Sequence, residues 1–148
     1  MTSRKSVRIT KIQIAKAQIE TAIDLFFNED DRIAVLTLAG AGEEILGNVL
    51  SRKKSRNMLG VVYSASEERQ LSLDPKDIAN IANRTRNALK HAKFETEDEI
   101  DFDPEEAVIM LLRATINYQL EVGTLTARME DYLSWLRTER PRYIGKET

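Results

Sequence analysis

Apolar side chains recur at helical spacing along most of the chain, and polar start signals divide them into five predicted helices. Thr10 and Gln13 form a capping-box pair ahead of Ile12, Ile19, Ile23 and Phe26, which predicts a helix from Thr10 to about Phe27. Asn28 and Asp31 are placed to cap a second helix running to about Leu50. Its Gly40, Gly42 and Gly47 are poor helix formers, expected where another helix approaches closely. Residues 51–73 show no clean period, although Leu59 to Tyr63 suits a short strand or extended segment. A connection of that length in a small domain is often functional. Asp74-Pro75 opens a third helix, to about Phe94, as an N-cap followed by proline at the first helical position. Asp103-Pro104-Glu105-Glu106 repeats that signal with a capping-box glutamate, opening a fourth helix to about Val122. Val108, Ile109, Met110, Leu111, Leu112, Ile116 and Leu120 make it apolar on most sides, the mark of a central helix. Gly123 suits its C-cap. A last helix runs from about Thr126 to Arg140, where Pro141 stops it. Helices joined mostly by short loops predict an all-α fold, a four- to five-helix bundle. The length fits one domain, 1–148, with residues 1–9 expected to be disordered and 142–148 a tail.

The third helix carries two unlike faces. Ile78, Ile81, Ala82, Thr85, Leu89 and Ala92 fall on one side, the expected core face. Asn80, Asn83, Arg84, Asn87 and His91 fall together opposite. Exposed helix faces favour Glu, Lys and Gln, because Asn is a weaker helix former. Three Asn on one stripe point to a surface that makes specific hydrogen bonds, in a dimer interface or a ligand groove.

Charge sharpens this picture. The net charge is only −2, which counts mildly against strong nucleic-acid binding by the whole domain. The charges are segregated, however. Basic runs lie at Arg4 to Lys16, at Arg52 to Arg56, and at Arg84, Arg86, Lys90 and Lys93 around the single histidine, His91. The acids concentrate between Glu95 and Glu106. Solvated surface accounts for such runs, and so does one cationic face for a polyanion. The basic N-terminus is followed by no continuous apolar run, so no secretory signal is expected. The most apolar stretch, Ala107 to Leu112, is too short to span a bilayer. These features and the absence of cysteine lead us to expect a soluble cytoplasmic protein without a membrane partner. One His and no Cys make zinc improbable, and no Glu-x-x-His pair, calcium-loop spacing or Gly-rich phosphate loop occurs. No metal or cofactor is expected.

Arg86-Asn87-Ala88-Leu89-Lys90-His91 resembles the motif of the HEPN superfamily, an arginine followed after four to six residues by histidine. Arg84 also fits, with six residues intervening. The motif lies on a late-middle helix of a bundle, as in that family. The chain is also similar to a group of uncharacterised short bacterial proteins at Ile33 to Ala41, Asn87 to Ala92 and Asp101 to Pro104. The resemblance implies a HEPN-like helical bundle that forms a homodimer. It implies a non-catalytic binding or interaction module in a toxin–antitoxin or phage-defence setting, with RNA and a cognate antitoxin or nucleotidyltransferase as candidate partners. The alternative it implies is a metal-independent endoribonuclease giving 2′,3′-cyclic phosphate ends. There His91 would transfer protons and Arg86 would contact the phosphate; Asn87 would orient the substrate, and Lys90 and Arg84 would add cationic contacts. The bland reading of His91 is a cation at a helix C-terminus, favoured by the dipole by ~0.3–1 kcal/mol. Arg86 and His91 stand about 140° apart on an ideal helix, so a site using both needs the helix end or a second subunit.

Overall fold

A computed structural model describes residues 5–53, 84–93, 96 and 98–144. The described secondary structure is all helical. Helix α1 spans Lys11–Asn28 and α2 Arg32–Arg52; after residues 84–88, which are helical, come α3, Glu105–Val122, and α4, Ala127–Glu139.

The local signals act where the sequence puts them. The Thr10 hydroxyl accepts from Gln13 N (3.1 Å) and the Gln13 side chain accepts from Thr10 N (2.8 Å), so the capping box of α1 is complete. Asp31 accepts from Ala34 N at the start of α2, and Thr126 from Met129 N at the start of α4. Between α1 and α2 the chain reverses through Asp30, at φ +50°, a left-handed conformation that Asp tolerates better than most residues. Gly123 ends α3 at φ +88°, where a side chain would be strained.

The start of α3 differs in one respect from the predicted capping box. Asp103 Oδ1 does accept from Glu105 N (3.0 Å), but Glu106 Oε2 is buried with no hydrogen-bond partner among the described residues. The N-cap is Pro104, with no side-chain cap of its own, and the aspartate before it holds the first turn through Glu105 N.

The core joins Ala15, Ile19, Ile23 and Phe26 of α1 to Val35, Leu36, Ala39 and Leu46 of α2. It continues through Val108, Met110, Leu111 and Ala114 of α3 and Met129, Tyr132, Leu133 and Leu136 of α4. The predicted central helix, α3, is buried along most of its length, except that Leu120 is exposed. It shares the centre with α2, which makes the large interfaces with both α1 and α3. Gly42 is the reason α1 and α2 pack closely: a Cβ there would lie 2.9 Å from Ile19 Cγ1 and 3.3 Å from the Ala15 carbonyl oxygen. By length and composition α2, rather than Ala107–Leu112, is apolar enough to match a bilayer span, and half of that span is buried within the bundle.

An aromatic cluster closes one end. The Phe26 ring meets Tyr132 at 5.4 Å and Trp135 at 4.8 Å, both edge-on, and Arg32 lies 4.5 Å over it. The Tyr132 hydroxyl donates to the Val108 carbonyl (2.7 Å), tying α4 to α3; its burial pushes the phenol pKa well up. Beyond α4, residues Tyr143 and Ile144 of the expected tail fold back against the core.

Candidate functional site

The Arg-x4-His segment begins in helix and ends outside it. Residues 84–88 are helical; Leu89 N still donates to Thr85 O (3.1 Å), but Lys90 N donates to Asn87 O (3.0 Å), a tighter turn. The helix thus stops before His91 and does not reach Phe94. Helices persist largely by packing an apolar face, and Ala92, on the expected core face, is exposed. Thr85 is buried and Leu89 half-buried against the core, as that face requires. Arg84, Asn87, Lys90 and His91 are exposed. Asn80 and Asn83, the remaining core-face residues Ile78, Ile81 and Ala82, and the 54–73 part of the long connection lie outside the described residues.

Arg86 behaves differently from its neighbours. Its side chain is only 11% exposed and lies along α2, with Nη1 3.5 Å from Glu43 Oε2 and 3.9 Å from Glu44 Oε2. Gly40 makes this course possible, since a Cβ there would stand 2.7 Å from Arg86 Cδ and 3.1 Å from Cγ. The other oxygen of Glu43, Oε1, accepts from Arg113 Nη2 at 2.9 Å. Arg113 is on α3, its side chain 2% exposed. One buried carboxylate is thus divided between two guanidinium groups, one from α3 and one from the motif segment. Desolvation pulls the Arg113 pKa down, and the charge and hydrogen bond of Glu43 oppose it. Arg86 Nε and Arg113 Nε and Nη1 are buried without a hydrogen-bond partner among the described residues. Asn117, fully buried on α3, approaches the same place from the side of Gly47.

Sequence reasoning picked out Arg86 and missed Glu43 and Arg113. The signal was present: Glu43-Glu44 interrupts the apolar run of α2, and Arg113 interrupts that of α3. Charges on faces that must be buried need opposite charges facing them.

A second polar cluster joins the start of α3 to the chain after α4. Glu105 accepts from Arg140 Nε (2.7 Å) and Nη2 (3.1 Å) and from the Tyr143 hydroxyl (2.7 Å), with Arg142 at 3.8 Å. The Arg140 hydrogen bonds hold the Glu105 carboxyl below the usual carboxylate range; burial opposes this, and Tyr143 and the nearby positive charges reinforce it. Among the described residues no group of His, Asp and Glu is placed to hold a metal ion.

What the Arg84–His91 segment can do chemically follows from this division. Its exposed side chains present cations, an amide and an imidazole to solvent, while its second arginine is spent inside the protein. No protein-family model matches the chain, and no curated protein or solved structure matches it.

Proposed function

We propose that this chain is a HEPN-like, soluble, cytoplasmic binding module, working as a homodimer and engaging an anionic partner, RNA in the first instance, through Arg84, Asn87, Lys90 and His91. The observation that carries this reading is the burial of Arg86 against Glu43 and Glu44. Metal-free RNA cleavage needs a cation on the developing phosphorane. An arginine already neutralised by a carboxylate at 3.5 Å is poorly disposed to supply it. Lys90 and His91 remain free of that constraint, exposed beyond the helix end.

The test is cleavage of mixed single-stranded and transfer RNA in EDTA, with analysis for 2′,3′-cyclic phosphate ends. We expect no cleavage, and RNA binding that falls steeply with salt and weakens further in Arg84→Ala and Lys90→Ala. EDTA-resistant cleavage that His91→Ala reduces by about 10²–10⁴ would replace this reading by the endoribonuclease one, with Arg86 and His91 as its catalytic pair. A dimer that neither cuts nor binds RNA would leave a protein, such as a cognate antitoxin or nucleotidyltransferase, as the partner.

A further inference from the structure

We infer that Arg86 is a positioning residue: it latches the 84–91 segment to the bundle by entering the notch at Gly40 and pairing with Glu43, which Arg113 holds ready for it. Three observations lead there. Among the described residues the segment is otherwise held by a buried threonine, Thr85, and a half-buried leucine, Leu89. The Arg86 stem lies where any side chain at position 40 would stand. The receiving carboxylate is fixed independently of the segment, because Glu43 Oε1 is bonded to Arg113 of α3 while Oε2 faces Arg86.

A socket whose described parts belong to α2 and α3 has a consequence for mechanism. The Glu43–Arg113 bond is made without the segment, so opening the latch frees the residues bearing Asn87, Lys90 and His91 and leaves that bond in place. Opening costs the charged pairing in a poorly solvated place, where it is strong. While closed, the latch fixes the direction in which the exposed side chains are presented. For its effect on binding the inference rests on the reading given under Proposed function; for its effect on order it does not.

The experiment compares Gly40→Ala, Arg86→Met and Arg86→Lys with the wild-type chain by amide hydrogen exchange. The amides of Leu89 and Lys90 report directly, since they bond to Thr85 and Asn87 within the segment. Gly40→Ala and Arg86→Met are expected to speed their exchange by about 10- to 100-fold, within the range of coupling between residues of one salt-bridge network. Protection in α1 and α3 should remain unchanged. Arg86→Lys keeps a cation within reach of Glu43 and is expected to restore most of the protection. Arg86→Met keeps the stem and removes the charge; if it exchanges like wild type, the pairing does not hold the segment and the inference fails. Uniform loss of protection across α1 and α3 in Arg86→Met also overturns it, since Arg86 is then part of the general core. RNA binding is measured on the same variants. Faster exchange with unchanged binding leaves the latch standing and counts against the binding reading; weaker binding in His91→Ala with wild-type exchange supports that reading independently.

Discussion

Glu43 has one negative charge and two buried claimants. Removing it strands Arg113 without its acceptor in the middle of α3, and uncompensated buried charge is among the costliest defects a core can carry. Glu43→Ala is therefore expected to lower stability by about 3–5 kcal/mol in urea unfolding. Glu44→Ala, one residue along and half-exposed, should cost no more than ~1 kcal/mol. Similar losses for the two would mean that the divided carboxylate is not what holds α2 to α3. The residue scale is also where the sequence was least legible. Arg86 looks like a surface cation by its position beside Arg84 and Lys90, and its partner is far away along the chain. Helical periodicity gives the direction of a side chain's Cα–Cβ bond, whereas the end of a side chain as long as arginine reaches partners on another helix, here Glu43 beyond the Gly40 notch. The two acids in α2 and the lone arginine in α3 were readable as a burial problem, and pairing them would have found the network.

At the scale of elements, the helix starts were legible because capping is local. Thr10, Asp31 and Thr126 each bond to a backbone amide three residues on, and no tertiary information is needed to foresee it. The end of the third predicted helix was not legible, since it depends on what lies opposite Leu89 and Ala92. The attachment of the segment after α4 was equally hidden, because Glu105 reads as a first-turn acid until Arg140 and Tyr143 are seen on it. That attachment has a pH dependence with a definite sign. The folded-state pKa of Glu105 is depressed, so the carboxylate binds fewer protons folded than unfolded near that pH. Its stabilisation is fully present above the ordinary carboxylate pKa and is lost as pH falls through the lower folded value. Glu105→Gln is expected to lower the thermal midpoint at neutral pH and to narrow its gap from wild type as the pH drops through that window. A gap that is constant with pH would mean that the carboxylate's ionisation contributes nothing there.

For the whole molecule, an all-α bundle followed from periodicity and short connections, and the described helices agree with it. Association between copies does not follow from periodicity. The aromatic α4 adds little surface for it, since Tyr132 and Leu136 are buried within the chain itself. Among the described residues the exposed candidates include the Arg84–Asn87–His91 edge, Phe27, 44% exposed, and Ile33 flanking the α1–α2 turn, and Leu120 and Val122 near the end of α3. We expect light scattering at micromolar concentration to give the mass of a dimer, the commonest closed assembly. A monomer across that range would overturn the dimer, and any binding surface would then have to be complete within one chain.

Trp135 is the single tryptophan of the chain, set edge-on to Phe26, stacked on Tyr132 at 6.0 Å, and covered by Arg140 at 5.3 Å. Its intrinsic fluorescence therefore comes from one known location, where α4 meets α1 and the chain beyond α4 begins. An optical titration with no added label separates events at the two polar clusters. Since the indole's ring contacts among the described residues are Phe26, Tyr132 and Arg140, a ligand acting through Arg84 to His91 is expected to leave that emission unchanged, whereas loosening Arg140 from Glu105 is expected to change the spectrum.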